Sequence, residues 1–420
     1  VSSGSSTDVL VVGAGPTGLL AALRLVERGL AVEVIEEEWR PAGHSYALAL
    51  HPGSLQLLDE LGLAEELVAQ GRPLATVAVF EGAERRASVR VAEPGARFPF
   101  VLALPQSVLE SVLARRLAER GITVRWSHRL ARLEPRADGV LATVHRLEKA
   151  STGYAVARTE WTIDREIAFE AAFVVGADGH RSLVRRALGA SFAETGASQV
   201  FAVFECAAGP ETGDEMPVVL DEKTVSALWP LPGGRARWSL EIEAPEVSVE
   251  ERFKSRLTTT VGEQLFHHLD PVRAHELVRE RAPWFGPAPL EIGWSIEVRF
   301  ERRLTASFGR DRVWLAGDAA HLTGPVGMQS LNAGLREAGD LASRVADVRQ
   351  GKVGAGVLEV YGQERMAEWR FLLGQGGGLR PRAGAAPLVA RNAGRLLPCL
   401  PATGDDLRWL AGQLGLDVDR

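Results

Sequence analysis

Cysteine, methionine and tyrosine are scarce in this chain of 420 residues, at 2, 3 and 3 copies. Cys206 and Cys399 stand alone without metal-type spacing, so neither a disulfide framework nor a thiolate metal site is implied. Lysine occurs only at 149, 223, 254 and 352, and arginine supplies the other cations, a skew of genome composition rather than function. Excess positive charge is lacking too: a net charge of −6 argues against a nucleic-acid binder. No apolar run reaches the ~18 residues of a membrane span, and the opening VSSGSS has no secretory apolar region. Repeats, coiled coil and low-complexity tails are missing as well. The expectation is a cytoplasmic monomer or homodimer with no transmembrane segment. What remains is ordinary globular material, 46% hydrophobic and 24% charged, long enough for two or three structural units.

The first informative stretch is DVLVV (8–12), Gly13-Ala14-Gly15-Pro16-Thr17-Gly18, a helical run ending at Gly29, and AVEVIE (31–36). Strand, glycine turn, helix, strand and terminal acid form the dinucleotide fingerprint in its required context. Gly13 permits the tight turn, Gly15 lets backbone approach a pyrophosphate, and Gly18 allows helix and strand to pack closely. Glu36 is placed to accept from adenosine ribose hydroxyls. In the loop that follows, Arg40, His44, Tyr46 and His51 pass near the phosphates, or are ordinary loop polarity.

Further along, 74–81 and 86–92 read as a hairpin, and PQSVLESVLARRLAERG from Pro105 as a helix. ITVRW (122–126) and segments 139–147, 153–163 and 166–175 read as strands. The last ends in VVGADGHRS, where Asp178-Gly179 marks a strand-to-helix junction with Arg181, Arg185 and Arg186 nearby. Asp178 is either a ligand-facing carboxylate or a helix cap. Strands 199–205, 225–231, 235–243 and 290–300 alternate apolar and polar residues, which predicts an antiparallel sheet with one covered face. A helix near 249–269, with Phe253, Leu257, Val261 and Leu265 in register, is expected to pack on it. Trp229, Trp238, Trp284 and Trp294 line an aromatic pocket there or form plain core.

The stretch RVWLAGDAAHLTGPVGMQSLNAGLREAGDLASRV (312–345) organises the rest. A short strand runs into Gly317-Asp318, a loop with Gly324, Pro325 and Gly327 follows, and a long amphipathic helix begins near Leu331. A carboxylate at a strand's end facing a helix N-terminus suits a polyhydroxyl, anionic cofactor. Another helix is expected over 356–373, and two short ones over 388–420.

Three ordered blocks, GAGPTGL (13–19), GADGHRSLVRRALG (176–189) and GDAAHLTGPVGMQSLNAGL (317–335), resemble the single-component FAD-dependent aromatic hydroxylases of the para-hydroxybenzoate hydroxylase-like class. The resemblance implies an α/β fold: a Rossmann-like, glutathione reductase-type FAD-binding domain (1–75, 100–190, 305–375), an inserted antiparallel-sheet substrate domain (76–99, 191–304), and a C-terminal helical cap (376–420). It places Gly13, Gly15, Gly18 and Glu36 on the ADP moiety and Gln106 on the cofactor. Asp178-Gly179 fall in a motif for FAD and NAD(P)H, and Asp318 on the ribityl chain. Pro325, Gly327, Met328, Gln329, Ser330, Leu331 and Asn332 fall in the loop and helix start that hold the isoalloxazine. Met328 and Ser330 stand where the family has glycine, and Tyr46 where it often has arginine. Side chains at 328 and 330 crowd the backbone toward the flavin or demand another local conformation.

The implied activity is NAD(P)H- and O2-dependent oxygenation of an aromatic, phenolic or polyketide-like molecule through a flavin hydroperoxide. The cofactor carries the hard step, so no protein nucleophile is required. His44, His51 and His321 are nominal bases, and no catalytic residue is assigned. Two alternatives remain: a flavin-dependent halogenase, although no W-x-W-x-I-P motif is present, and a flavin-binding reductase.

Overall fold

The computed structural model describes residues 6–40, 47–152, 158–207, 213–243, 258–261, 264–267, 270–285 and 291–419. The fingerprint folds as expected into strand β1 (Ser6–Val12), helix α1 (Pro16–Glu27) and strand β2 (Val32–Ile35). Strand Arg158–Gly176 runs parallel to β1 on its other side, and Val313–Leu315 lies parallel beyond it. Their register decides where the chemistry sits. Ile35 and Gly176 both pair with Val12, and Leu315 pairs with Gly176. The four carboxyl ends therefore lie in one row, and the residues just past them (Gly13, Glu36, Asp178, Asp318) emerge along one edge. Ligands of parallel sheets bind at this edge.

Helix α2 (Gln106–Glu119) packs against α1. Helix α3 (Leu183–Ala187) follows the Asp178 turn, α4 (Gln329–Arg349) follows the Pro325 loop, and α5 (Gly356–Leu372) follows α4. A Cβ on Gly334 of α4 would sit 2.8 Å from Thr17 Oγ1 and 3.1 Å from Gly317 Cα, so glycine there lets α1, α4 and the Asp318 turn close on one another.

A ten-stranded sheet collects Thr76–Glu81, Glu84–Arg90, Phe192–Ala207, Glu215–Leu220, Val225–Leu231, Arg235–Ile242 and Ile292–Thr305 with three shorter strands. One of these, His321–Leu322, pairs with Arg303 and Leu304 and joins the Asp318 loop to this sheet. Alternation gives the sheet two faces. Phe204, Leu228, Trp238 and Leu240 pack on helix Pro271–Arg281 through Ala274, Leu277 and Val278. Phe201, Val203, Trp229, Ile296 and Val298 join the main core shared with the nucleotide-binding sheet.

Several expectations are corrected. ITVRW is not a strand, and only Arg125 bridges to Ile35. The next strand is His128–Pro135, which pairs with Val140–Thr152 and whose arginines hid the alternation. Residues 166–175 and the described part of 153–163 form one strand, irregular between Ile163 and Arg165. Within the helix expected near 249–269, Thr258–Val261 and Gln264–His267 pair as antiparallel strands, and Phe253 and Leu257 lie outside the described residues. Beyond 376, short helices are joined by strands Gly378–Pro381 and Leu416–Asp419, which pair with each other.

Candidate active site

A cavity of about 420 Å³ opens at the shared strand edge. Of the residues singled out in the sequence, Gly13, Gly15, Glu36, Arg40, Gln106, Asp178 and Gly179 line it. At its floor the backbone is forced. Gly13 has φ +107, and a Cβ on it would lie 2.2 Å from the Ala177 carbonyl oxygen. Gly18 is as tight, with a Cβ 2.0 Å from the Gly13 oxygen. Gly15 is the opposite case: its Cβ position meets nothing within 4 Å, leaving its backbone open to a ligand. Gly15 is also the N-cap of α1, no side chain caps that helix, and its first turn holds no acid. An uncapped, positive helix end facing a cavity fits a diphosphate. Pro16 at N1 contributes no N–H that would need a partner.

Glu36 completes the fit. One carboxylate oxygen accepts from the Ala14 N–H at 2.7 Å and the other from the Glu38 N–H at 2.9 Å, which fixes the group at the end of β2 with lone pairs left for ribose hydroxyls. Asp178 lines the cavity and also braces the start of α3, whose N-cap is Ser182: its carboxylate accepts from Ser182 Oγ at 2.5 Å and from the Leu183 and Val184 N–H groups at 2.6 and 3.1 Å. Burial raises its pKa against these donors. Gln106 donates to Glu110 at 2.7 Å, and burial raises the Glu110 pKa. Arg185 is buried and tied to the carbonyls of Ala319 (2.6 Å) and His180 (2.8 Å), so it joins two of the blocks rather than meeting a ligand. Glu37, Glu38, Trp126, His128, His180 and Arg181 also line the cavity. Their signal was adjacency: all flank the Glu36 or Asp178 motifs or the segment bridged to Ile35.

The Pro325–Asn332 loop lies beyond this cavity. Met328 adopts φ +51 and ψ 29, the left-handed conformation that glycine would take without strain, and its side chain is buried in the main core. The different local conformation is thus the outcome, and crowding by the Met328 side chain is not. Asn332 sustains the turn, donating to the carbonyls of Met328 (2.8 Å) and Ala49 (2.9 Å) and accepting from the His51 N–H (2.7 Å). Gln329 donates to the carbonyls of Leu397 (2.7 Å) and Leu400 (3.3 Å), and the Gly327 N–H to that of Pro398 (3.0 Å). The side chains of Gln329 and Asn332 thus tie the loop to the rest of the protein. Leu331 packs partly buried against the core, and Pro325 is buried.

Two of the nominal bases are structural. His51 Nε2 lies 2.9 Å from the Gly327 carbonyl, and burial drives its pKa down to about 3, too weak for a base near neutrality. His321 is fully buried, 2.9 Å from Glu337. His44 and Tyr46 lie outside the described residues. Of the tryptophans, Trp238 packs against Trp284 and Phe285 on the face turned away from the nucleotide-binding sheet, which removes it from the pocket set. Trp229 is fully buried on the near face, and Trp294 is partly buried with the Arg237 guanidinium 5.5 Å from its ring.

His51 gives the loop a pH dependence. Its pKa lies below the unfolded value, so the unfolded chain takes up the proton first and stability falls as pH drops from about 6.5 toward 3. The loss approaches about 1.4 kcal/mol per pH unit inside that window. Denaturant midpoints at pH 7, 6 and 5 are expected to converge for wild type and His51→Gln, because the variant lacks this slope.

A single edge that presents an open helix N-terminus and the carboxylates of Glu36, Asp178 and Asp318 fits a polyhydroxyl, anionic cofactor. Residues 6–372 match the model of the FAD binding domain family, and the chain belongs to that family. Among its relatives is 6-methylpretetramide 4-monooxygenase of Streptomyces rimosus, 30% identical over 92% of this chain and 63% of that protein. A rifampicin monooxygenase of Streptomyces venezuelae is 30% identical over 85% of this chain and 68% of its own length. The chain thus spans roughly two thirds or less of these relatives. The solved structure of p-nitrophenol 4-monooxygenase from Pseudomonas putida shares the fold, with a TM-score of 0.72 at 22% identity over 97% of this chain and 94% of that one. Aklavinone-11 hydroxylase, solved in ternary complex with FAD and aklavinone, gives 0.66 at 25% identity over 94% and 69%.

Proposed function

We propose that this chain is a flavoprotein monooxygenase that consumes NAD(P)H and O2 and hydroxylates, or otherwise oxygenates, an aromatic, phenolic or polyketide-like molecule. The observation that carries it is the register that puts Gly13, Glu36, Asp178 and Asp318 just past one row of strand ends, with Gly13, Gly15, Glu36 and Asp178 lining one cavity. The relatives support oxygenation over halogenation, since those named are monooxygenases or hydroxylases. The reductase reading loses its motive at position 328, where the side chain turns into the core.

When bound, FAD supplies electron transfer from NAD(P)H and the activation of O2. The chain's own residues do the holding. The α1 N-terminus takes the diphosphate, Glu36 the adenosine ribose, and Asp318 a ribityl hydroxyl. The N-terminus of α4, with no capping side chain and no acid in its first turn, would favour negative charge on a bound flavin. The ten-stranded sheet serves as the substrate unit, with Trp229 and Trp294 on the face toward the cofactor, and 376–420 closes the loop from behind through Leu397–Leu400. Keeping bulk water from the reactive ring is the remaining task of these walls.

The test is oxygen uptake by FAD-loaded protein with NADH or NADPH across a panel of phenols and polycyclic phenols. At least one compound is expected to stimulate uptake and gain one oxygen atom by mass. NAD(P)H oxidation that yields only hydrogen peroxide with every compound, including the substrates of the named relatives, contradicts the proposal.

A further inference from the structure

Helix α4 presents Ser330 and Glu337, two turns apart on one face, to the turn that carries Asp318. Glu337 holds that turn by its backbone, accepting from the Gly317 N–H at 2.8 Å. Ser330 holds it by its side chain: Oγ donates to Asp318 Oδ1 at 2.5 Å. The same oxygen lies 3.5 Å from Nδ1 of His321, whose other nitrogen meets Glu337 and whose ring stacks on Trp369 at 3.6 Å between centroids. A serine hydroxyl has one proton, and Asp318 takes it, so the lone pairs face His321. A chain of contacts therefore runs from the exposed Asp318 carboxylate to a rigid, fully buried anchor. Asp318 Oδ2 makes no hydrogen bond among the described residues, so it is the oxygen left to a ligand.

A helix-capping role does not account for Ser330. The N-cap of α4 is Met328, and no side chain caps the helix. We propose that Ser330 is a positioning residue for the cofactor: it fixes the Asp318 carboxylate in one orientation and reserves Oδ2 for a ribityl hydroxyl. Pre-ordering that group removes the rotamer freedom that binding would otherwise have to freeze. The inference rests on Asp318 facing the ribityl chain, and the experiment separates the two.

FAD dissociation constants are measured by fluorescence titration of the full chain for wild type, Ser330→Ala, Ser330→Thr, Asp318→Asn and the Ser330→Ala/Asp318→Asn double variant. Ser330→Ala is expected to weaken FAD about tenfold, the scale of one hydrogen bond to a charged group. Ser330→Thr, which keeps the hydroxyl, restores affinity. The double variant binds no more weakly than Asp318→Asn alone, because the serine acts through the aspartate. The thermal midpoints of the apoproteins stay together, since Asp318 is exposed and Ser330 is only half-buried. Wild-type affinity in Ser330→Ala beside a weakened Asp318→Asn overturns the role of Ser330 and leaves Asp318 standing. Effects that multiply in the double variant overturn it as well. Wild-type affinity in Asp318→Asn overturns the reading of Asp318 itself.

Discussion

Asp318→Ala is expected to emerge from purification without bound flavin yet fully folded. The side chain is exposed, and its hydrogen bond goes to Ser330 rather than into the core, so its loss leaves no buried group unsatisfied. Its position past Leu315, in the row shared with Val12 and Gly176, puts it on the ligand edge. Removing a charged hydrogen-bond acceptor costs about 1.5–3 kcal/mol, roughly ten- to 150-fold in affinity. The checks are flavin absorbance per protein and the thermal midpoint of the apo form. Full flavin occupancy in Asp318→Ala takes Asp318 out of the site.

Glu337→Gln is expected to damage the fold itself. Glu337 is fully buried and faces three donors: the Gly317 N–H at 2.8 Å, His321 Nε2 at 2.9 Å and Trp369 Nε1 at 2.7 Å. Burial pushes its pKa up, but the His321 charge and the three donors outweigh burial and hold the carboxyl below its ordinary value. An amide replaces one acceptor oxygen with an NH2 group that confronts a donor, and it removes the partner charge from His321. Breaking a buried pair in this way costs about 3–5 kcal/mol. The denaturant midpoint should fall sharply, and flavin should be lost with it because Gly317 no longer anchors the Asp318 turn. Stability within 1 kcal/mol of wild type contradicts the assignment of Glu337 as this anchor.

Much of the site was legible because its backbone geometry admits few residues. Gly13 and Gly18 sit where any Cβ would collide with carbonyl oxygen, and Gly317 has φ +65, so glycine spacing carries the turn directly into the sequence. The alternating strands of the large sheet were legible for the same local reason. Tertiary ties were not. Nothing in local periodicity says that Gln329 reaches Leu397 and Leu400, or that Trp369 reaches Glu337 across two helices. His128–Pro135 was missed because arginines at 129 and 132 fall on both parities of the strand. Resemblance placed Gln329 and Asn332 at the flavin, and their side chains bond the protein's own backbone. Both are needed to shape the loop, and sequence alone does not separate shaping a site from touching its ligand.

The most direct measurement is the identity and amount of flavin released by heat from the purified full chain, or taken up by it when FAD is added. Chemically intact FAD near one per chain, with a yellow spectrum that sharpens on binding, is the result expected if separate segments of the polypeptide converge on one cofactor. A colourless protein whose fluorescence titration shows no uptake of added FAD contradicts that convergence.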